Sequence, residues 1–346
     1  SHGRIYTDAS SPINYNEYGV YGQLQKKFME DRFKFTGSVR YDKSKNFDGN
    51  FSPRVSLVYS AGEKKQHNLR FSYQTGFRNP STQDQYIGFN VGNAVLIGSA
   101  PDNLLRYTET LPVANAMGLA QLYAGGTWVV MTGENAYQNS YTAASAGAYA
   151  AAMKAANPLT PTALVAAQMA AASLLKKTNV GNVKPEEVQA FELGYRSQIK
   201  DISVDVNGYY NIYNNFIGSA NAAAPLYGTV NETVNFTGAL TPAADPSYKA
   251  LFALTNSQYR GYQLYTNTAL EIKSLGFGIG LSKKIVGNYD LGLSYNYAQF
   301  EFDKSKDPDF EAGFNTPKHR IKVSVGNDNL LKNFGFNASV RWNSAY

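Results

Sequence analysis

Five carboxylates crowd one short stretch of this chain: Glu301, Asp303, Asp307, Asp309 and Glu311. Several hard oxygens at close spacing are what a Ca2+ ion takes, so Asp303, Asp307 and Asp309 form a candidate calcium site. The stretch lacks the Gly and terminal Glu spacing of an EF-hand, and the plainer reading is a solvated, charged loop. Arg40, Arg54, Arg70 and Arg196 form a row that could steer an anionic ligand through a focused field. Tyr123, Trp128, Tyr137 and Tyr141 could stack on a ligand or pack into a small core of their own. The three histidines, His2, His67 and His319, are widely separated and cysteine is absent, which argues against His-rich or thiolate metal sites and excludes disulfides. There is no Gly-x-Ser-x-Gly element, and Gly276, Gly278 and Gly280 alternate along a predicted strand instead of cradling a phosphate. No nucleophile stands beside a base. The chain is not expected to be an enzyme, and no cofactor is implied.

These residues sit on segments with one dominant signal, a period of two. Phe33, Phe35, Gly37, Val39 and Tyr41 alternate with Lys34, Thr36, Ser38, Arg40 and Asp42. Leu69, Phe71 and Tyr73 alternate with Arg70, Ser72 and Gln74, and Phe191, Leu193 and Tyr195 with Glu192 and Arg196. Val204, Val206, Tyr210 and Ile212 repeat the pattern, as do 17–28, 53–60, 259–272, 275–285, 289–302, 319–326 and 334–343, with 259–285 readable as one strand or two. About ten such segments predict an antiparallel β protein. The connections alternate as well. Those at 30–31, 61–66, 200–201, 287–288 and 327–333 are short and polar, and those at 43–52, 78–187, 214–258 and 303–318 are long. One sheet edge with tight turns and another with long loops is the arrangement of transmembrane barrels.

Composition points the same way. Charged residues are 17% and aromatics 14%, with 26 Tyr and 19 Phe. The apolar face tends to end in Tyr or Phe, as two membrane interfaces select. A large soluble β-sandwich with an aromatic core is the alternative. No run of 18 or more apolar residues offers a membrane helix. The net charge of +6 is spread singly along the segments, so no nucleic-acid interface is expected.

The stretch 78–187 differs, being rich in Ala, Asn and Gly. Pro158 and Pro161 divide its Ala-rich part, 141–178, into predicted helices at 142–156 and 161–176, with a further short helix at 80–86. An ordered, partly helical cap over a barrel mouth is expected here, and 214–258 is expected as a second long external loop.

Three motifs at strand–loop junctions carry a resemblance. Gly76-Phe77-Arg78-Asn79-Pro80-Ser81-Thr82-Gln83-Asp84 runs on to Ile97-Gly98-Ser99-Ala100-Pro101-Asp102-Asn103. Lys184-Pro185-Glu186 then precedes Phe191-Glu192-Leu193-Gly194-Tyr195, and Asn315-Thr316-Pro317-Lys318-His319 opens a later strand. In this order they resemble TonB-dependent outer-membrane receptors, closest to the subgroup with a carboxypeptidase-regulatory-like N-terminal domain, over roughly residues 15–346. The resemblance implies an integral barrel of about 22 strands around a plug, spanning the outer-membrane lipid bilayer and importing a scarce ligand with energy from the TonB complex. No plug or TonB box is recognised before residue 15. The whole of 1–346 is therefore expected to be a segment of one barrel domain, a ten-stranded sheet with free edges being unable to sit in lipid. Barrel-wall charges commonly pair with plug carboxylates, a second role for the Arg row. The alternative is a passive porin or a scaffold barrel for surface lipoproteins or secretion partners. Nothing in the residues selects among siderophore, glycan, peptide and cobalamin as ligand.

Overall fold

A computed structural model describes residues 12–115, 118–231, 245–286, 288–307 and 316–345. It divides into two compact units. The unit built from 15–79, 185–216 and 269–346 is a ten-stranded sheet. Its strands are β1 (Glu17–Phe28), β2 (Phe33–Ser44), β3 (Phe47–Ala61), β4 (His67–Arg78), β5 (Glu186–Ile199), β6 (Ile202–Asn214), β7 (Ile272–Ile285), β8 (Tyr289–Glu301), β9 (His319–Leu331) and β10 (Phe334–Asn343). Each pairs antiparallel with the next in this order, and β1 and β10 are the edges.

The register carries the sequence alternation across the sheet. Tyr195 lies opposite Val206, Val206 opposite Ile279, Ile279 opposite Tyr295, Tyr295 opposite Ile321 and Ile321 opposite Trp342. Val39, Val55, Tyr73 and Phe191 continue the apolar face through β2 to β5. This face is open. Leu193 is 56% exposed and Val323 52%, where a water-soluble sheet would bury such residues. The other face carries Ser38, Ser56, Ser72, Asn207, Ser294 and Ser324.

Tight turns close one edge. Met29, Glu30 and Asp31 all take positive φ between β1 and β2, as do Lys200 between β5 and β6 and Asn288 and Asn333 in the later turns. The left-handed region matches the strand twist that a two-residue hairpin requires. The connection at 43–52, expected to be long, is instead a tight one. β2 runs to Ser44 and β3 starts at Phe47, with a register shift between Asp42 and Ser44. Phe47 and Phe51 continue the alternation with Asp48, Asn50 and Ser52, and Phe51 packs on Tyr41 at 4.8 Å, while the Lys, Asn, Asp and Gly around them carry the loop composition that suggested a long connection.

The second unit comprises 1–14, 80–184 and 217–268. Its five-stranded sheet runs Gly88–Asn90, Val95–Ile97, Tyr259–Asn267, Ile217–Pro225, Tyr141–Thr142. A separate hairpin pairs Thr108–Pro112 with Trp128–Thr132. The segment 259–272, expected as a strand of the large sheet, thus ends at Asn267 and pairs with Ile217–Pro225 in this unit. Ile217–Pro225 escaped the sequence reading because Ala222, Ala223 and Ala224 are all buried. Small residues buried in succession show no alternation and have low strand propensity.

Helices appear close to their predicted places. Thr142 caps Ala143–Ala156 by accepting from the Ser145 amide. Thr160 caps Pro161–Ala172, whose Pro sits in the first turn, and this helix stops at Ala172, short of the expected 176. Ser81 and Asp84 form a capping box at Thr82–Tyr86, and Pro246–Thr255 adds a helix inside the expected 214–258 loop.

This unit has conventional cores. Leu251, Tyr141, Tyr149 and Leu175 form one cluster, and Val95, Ile97, Tyr262 and Leu264 another. Arg260 and Glu109 pair at 2.9 Å with little exposure. Burial pushes the Tyr141 hydroxyl up to about 12, and that hydroxyl has no hydrogen-bond partner among the described residues. A phenol held neutral in the folded state contributes stability that is intact below the ordinary phenol range near about 10 and is lost as pH climbs towards the folded value. The unit is therefore expected to lose stability as pH rises above about 10, followed by tyrosinate absorbance during alkaline unfolding, and Tyr141→Phe is expected to move that transition to higher pH. An unchanged midpoint would remove Tyr141 from the account.

Candidate functional site

The polar face of the large sheet gathers the charged residues that the alternation had put on one side. Arg70 stands on β4 opposite Gly194 of β5, and Arg196 of β5 stands opposite Asp205 of β6. A Cβ at 194 would lie 2.4 Å from Arg70 Nε, so glycine there makes room for the arginine stem. The Arg70 guanidinium is 3.2 Å from Glu192 Oε1 and 3.9 Å from Asp205 Oδ1, and Arg196 Nε donates to Asp205 Oδ2 at 2.7 Å. Two cations and two carboxylates thus alternate across three strands. Each contact is half-exposed and contributes about 1 kcal/mol at most, so the network sets side-chain positions more than it stabilises the sheet.

Arg40 pairs within its own strand, its Nε and Nη2 donating to Asp42 at 2.7–2.9 Å. Arg54 lies on the same face, opposite Ser38 and Gln74. The Arg row of the sequence is therefore one face of the sheet, and much of it is compensated by wall carboxylates. Asp205 and Glu192 do this pairing, and cross-strand register, which alternation alone does not give, was needed to find it. Register also places Lys322 directly opposite Arg341, with Arg320 next along β9. Between the two groups runs a groove of about 740 Å³, bordered by Lys64, Arg196, Asp205 and Lys322 and floored by Gly280 and Gly292.

The remaining candidates separate. Tyr123 packs edge-on against Phe252 at 5.1 Å and is buried. Tyr137 is buried, its hydroxyl 2.8 Å from the Tyr265 carbonyl and 3.0 Å from that of Ile97. Tyr141 is fully buried. Trp128 alone of the four is open, on the hairpin strand opposite Pro112. Asp303 caps the turn at Lys304–Lys306, accepting from the Ser305 amide at 3.0 Å and hydroxyl at 2.7 Å, and these bonds hold its carboxyl below the ordinary range. Asp309 and Glu311 lie outside the described residues. Among the described residues no group of three or more His, Asp or Glu is placed to hold a metal ion. His319 sits at a strand start with its Nδ1 2.9 Å from the Tyr295 hydroxyl, and among the described residues no helix is long and apolar enough to cross a membrane.

A two-faced antiparallel sheet of this size agrees with the family comparison. The family model described as "TonB dependent receptor-like, beta-barrel" matches residues 3–346. The chain belongs to the TonB-dependent receptor β-barrel family. Its fold is similar to that of the ferric enterobactin receptor PfeA of Pseudomonas aeruginosa, with a TM-score of 0.51 at 12% identity, over 95% of this chain and 32% of that one. The FrpB iron transporter of Neisseria meningitidis aligns over 94% of this chain and 32% of its own, with a TM-score of 0.45 at 11% identity. No curated protein sequence matches. The chain spans about a third of the length of these solved receptors.

In a TonB-dependent receptor barrel the apolar face of the wall is the lipid side and the polar face the lumen. Leu193→Arg, near the middle of β5 on the open apolar face, is expected to cost about 2–4 kcal/mol in bilayer-refolded full-length protein. Ser56→Arg on the polar face is expected to cost under about 1 kcal/mol. Urea unfolding in liposomes measures both, and equal costs would contradict the assignment of faces.

Proposed function

We propose that this chain is part of the wall of an energised outer-membrane importer. The observation that carries the proposal is the ten-stranded sheet with an open apolar face and a charged, small-residue polar face, in a chain of the TonB-dependent receptor family. Further strands of the same barrel would complete the wall, and a plug within it would gate passage and contact the TonB complex. On this reading the Arg70–Glu192–Arg196–Asp205 lattice holds a fixed, nearly neutral lumen surface that a plug can rest against without strong attachment. The connections from β4 to β5 and from β6 to β7 run through the second unit, and that folded unit is where ligand selection is expected, with the open Trp128 among its exposed aromatics. The solved receptors of similar fold include one for ferric enterobactin and one described as an iron transporter. An iron chelate is therefore the first ligand class to test.

Full-length protein in planar bilayers is expected to give no steady conductance, and uptake of ferric chelates by cells carrying it is expected to stop when TonB is deleted. Open-channel conductance with TonB-independent uptake would overturn the proposal in favour of a passive porin. Absence of both, with a lipoprotein co-purifying, would favour a scaffold barrel.

A further inference from the structure

The polar face of the large sheet changes character along its strands. On β2 to β6, Arg40, Arg70 and Arg196 each have a carboxylate within ion-pair distance, from Asp42, Glu192 and Asp205. On β9 and β10 the cations have none. Lys322 lies directly opposite Arg341, and Arg320 stands two residues along β9 on the same face. Among the described residues none of these three side chains makes an ion pair or a hydrogen bond. Like charges directly opposite one another destabilise a ladder. The carboxylate in the same cross-strand row, Asp205, is reached only through Ser294 and Gly280. It is three strands away, about 14 Å at the spacing of a sheet, and Arg196 already holds it.

These cations border a recess. A groove of about 480 Å³ is lined by Arg320, Lys322, Arg341, Ser294, Asn296 and Asn343. Ser294 lies opposite Lys322, and Asn296 and Asn343 lie opposite Arg320 on its two sides, so the six side chains share one face. The recess adjoins the larger groove floored by Gly280 and Gly292, with Ser294 and Lys322 common to both. Next to it Asn207 and Asn296 close over Gly278, where a Cβ would lie 2.6 Å and 3.0 Å from their Oδ1 atoms. The lining thus offers two guanidinium groups, an ammonium, two carboxamides and a hydroxyl, with no acid among them. Guanidinium groups match phosphate and carboxylate with paired hydrogen bonds, and a concave wall of one sign concentrates the opposite ion. A recess of this volume suits a small molecule.

We propose that this recess binds a small ligand carrying two or more anionic oxygens, as phosphate or carboxylate. Lys322 and Arg341 clamp one oxyanion between them, Arg320 takes the next, and Asn296 and Asn343 flank it. A bound oxyanion also relieves the repulsion between the opposed cations. The proposal rests on the importer reading, in which the polar face is the lumen, and deepens it by giving that lumen a station for anionic solutes.

The test is isothermal titration calorimetry of the full-length protein in detergent at low salt, with inorganic pyrophosphate and tricarballylate as probes. Saturable binding that weakens as salt is added is expected, and the tighter probe tells a phosphate ligand from a carboxylate one. Lys322→Gln/Arg341→Gln is expected to weaken binding at least about tenfold. Lys322→Arg is expected to keep it, as is Arg54→Gln, a cation on the same face outside the recess. Asn296→Asp supplies a carboxylate opposite Arg320 and is expected to weaken binding with the ladder intact, so the site is tested without removing a cation. No saturable binding of either probe, or binding that survives both Lys322→Gln/Arg341→Gln and Asn296→Asp, overturns the proposal. So does a loss of binding in Arg54→Gln as large as in Lys322→Gln/Arg341→Gln, which would mean diffuse charge. Absence of binding together with a lower melting temperature of Lys322→Glu/Arg341→Glu overturns it in favour of a plug carboxylate seated on these cations. All of these outcomes leave the TonB dependence of uptake untouched, and uptake that survives TonB deletion would fail the importer reading separately.

Discussion

A strand in hydrocarbon has no water to satisfy its backbone, so every N–H and C=O must find its partner on a neighbouring strand. That demand organises the large sheet. It requires antiparallel ladders, and β1 to β10 supply them in simple sequential order, with register shifts at Asp42/Ser44 and Asn327/Leu331. Once the backbone is satisfied by neighbours, the side chains are free to divide between two solvents. The period of two then turns into one continuous apolar surface and one continuous polar surface, because cross-strand pairs keep each residue type on its own side.

The polar side shows how charge is tolerated in such a wall. Arginines stand over glycines, as Arg70 does over Gly194, and acids on adjacent strands approach them. None of these pairs is buried, so their value is positional. The tight-turn edge follows a different rule, with cations outnumbering acids in and beside the turns. These two charge patterns belong to the same strands. The second unit obeys neither. It buries Tyr141, Leu251 and Ile97 in closed cores and is held together as an ordinary water-soluble fold is.

The sheet was legible in the sequence because alternation is a local property and each strand repeats it. Faces, edges and the tight turns at 30–31 and 200–201 followed directly. The places where reading failed have different causes. Residues 43–52 alternate only through Phe47 and Phe51 amid Lys, Asn, Asp and Gly, and by composition looked like a loop. Ile217–Pro225 is small and buried through its alanines and looked like one as well. Tyr259–Asn267 alternates well enough to pass for a wall strand, yet pairs elsewhere, since alternation names a strand without naming its partner. For the same reason Arg70 and Arg196 could be placed on one face from the sequence, while their meeting with Glu192 and Asp205 awaited the register.

The central claim is that the two faces of the sheet meet lipid and lumen. The chain has no cysteine, so single cysteines can be introduced at each position from Phe191 to Arg196 of β5, in a full-length protein kept free of any other cysteine. Each would be labelled with a fluorophore and reconstituted into bilayers containing brominated lipid. Strong quenching at 191, 193 and 195 with weak quenching at 192, 194 and 196 is the predicted result. Uniform quenching, or quenching on the even positions, would contradict it.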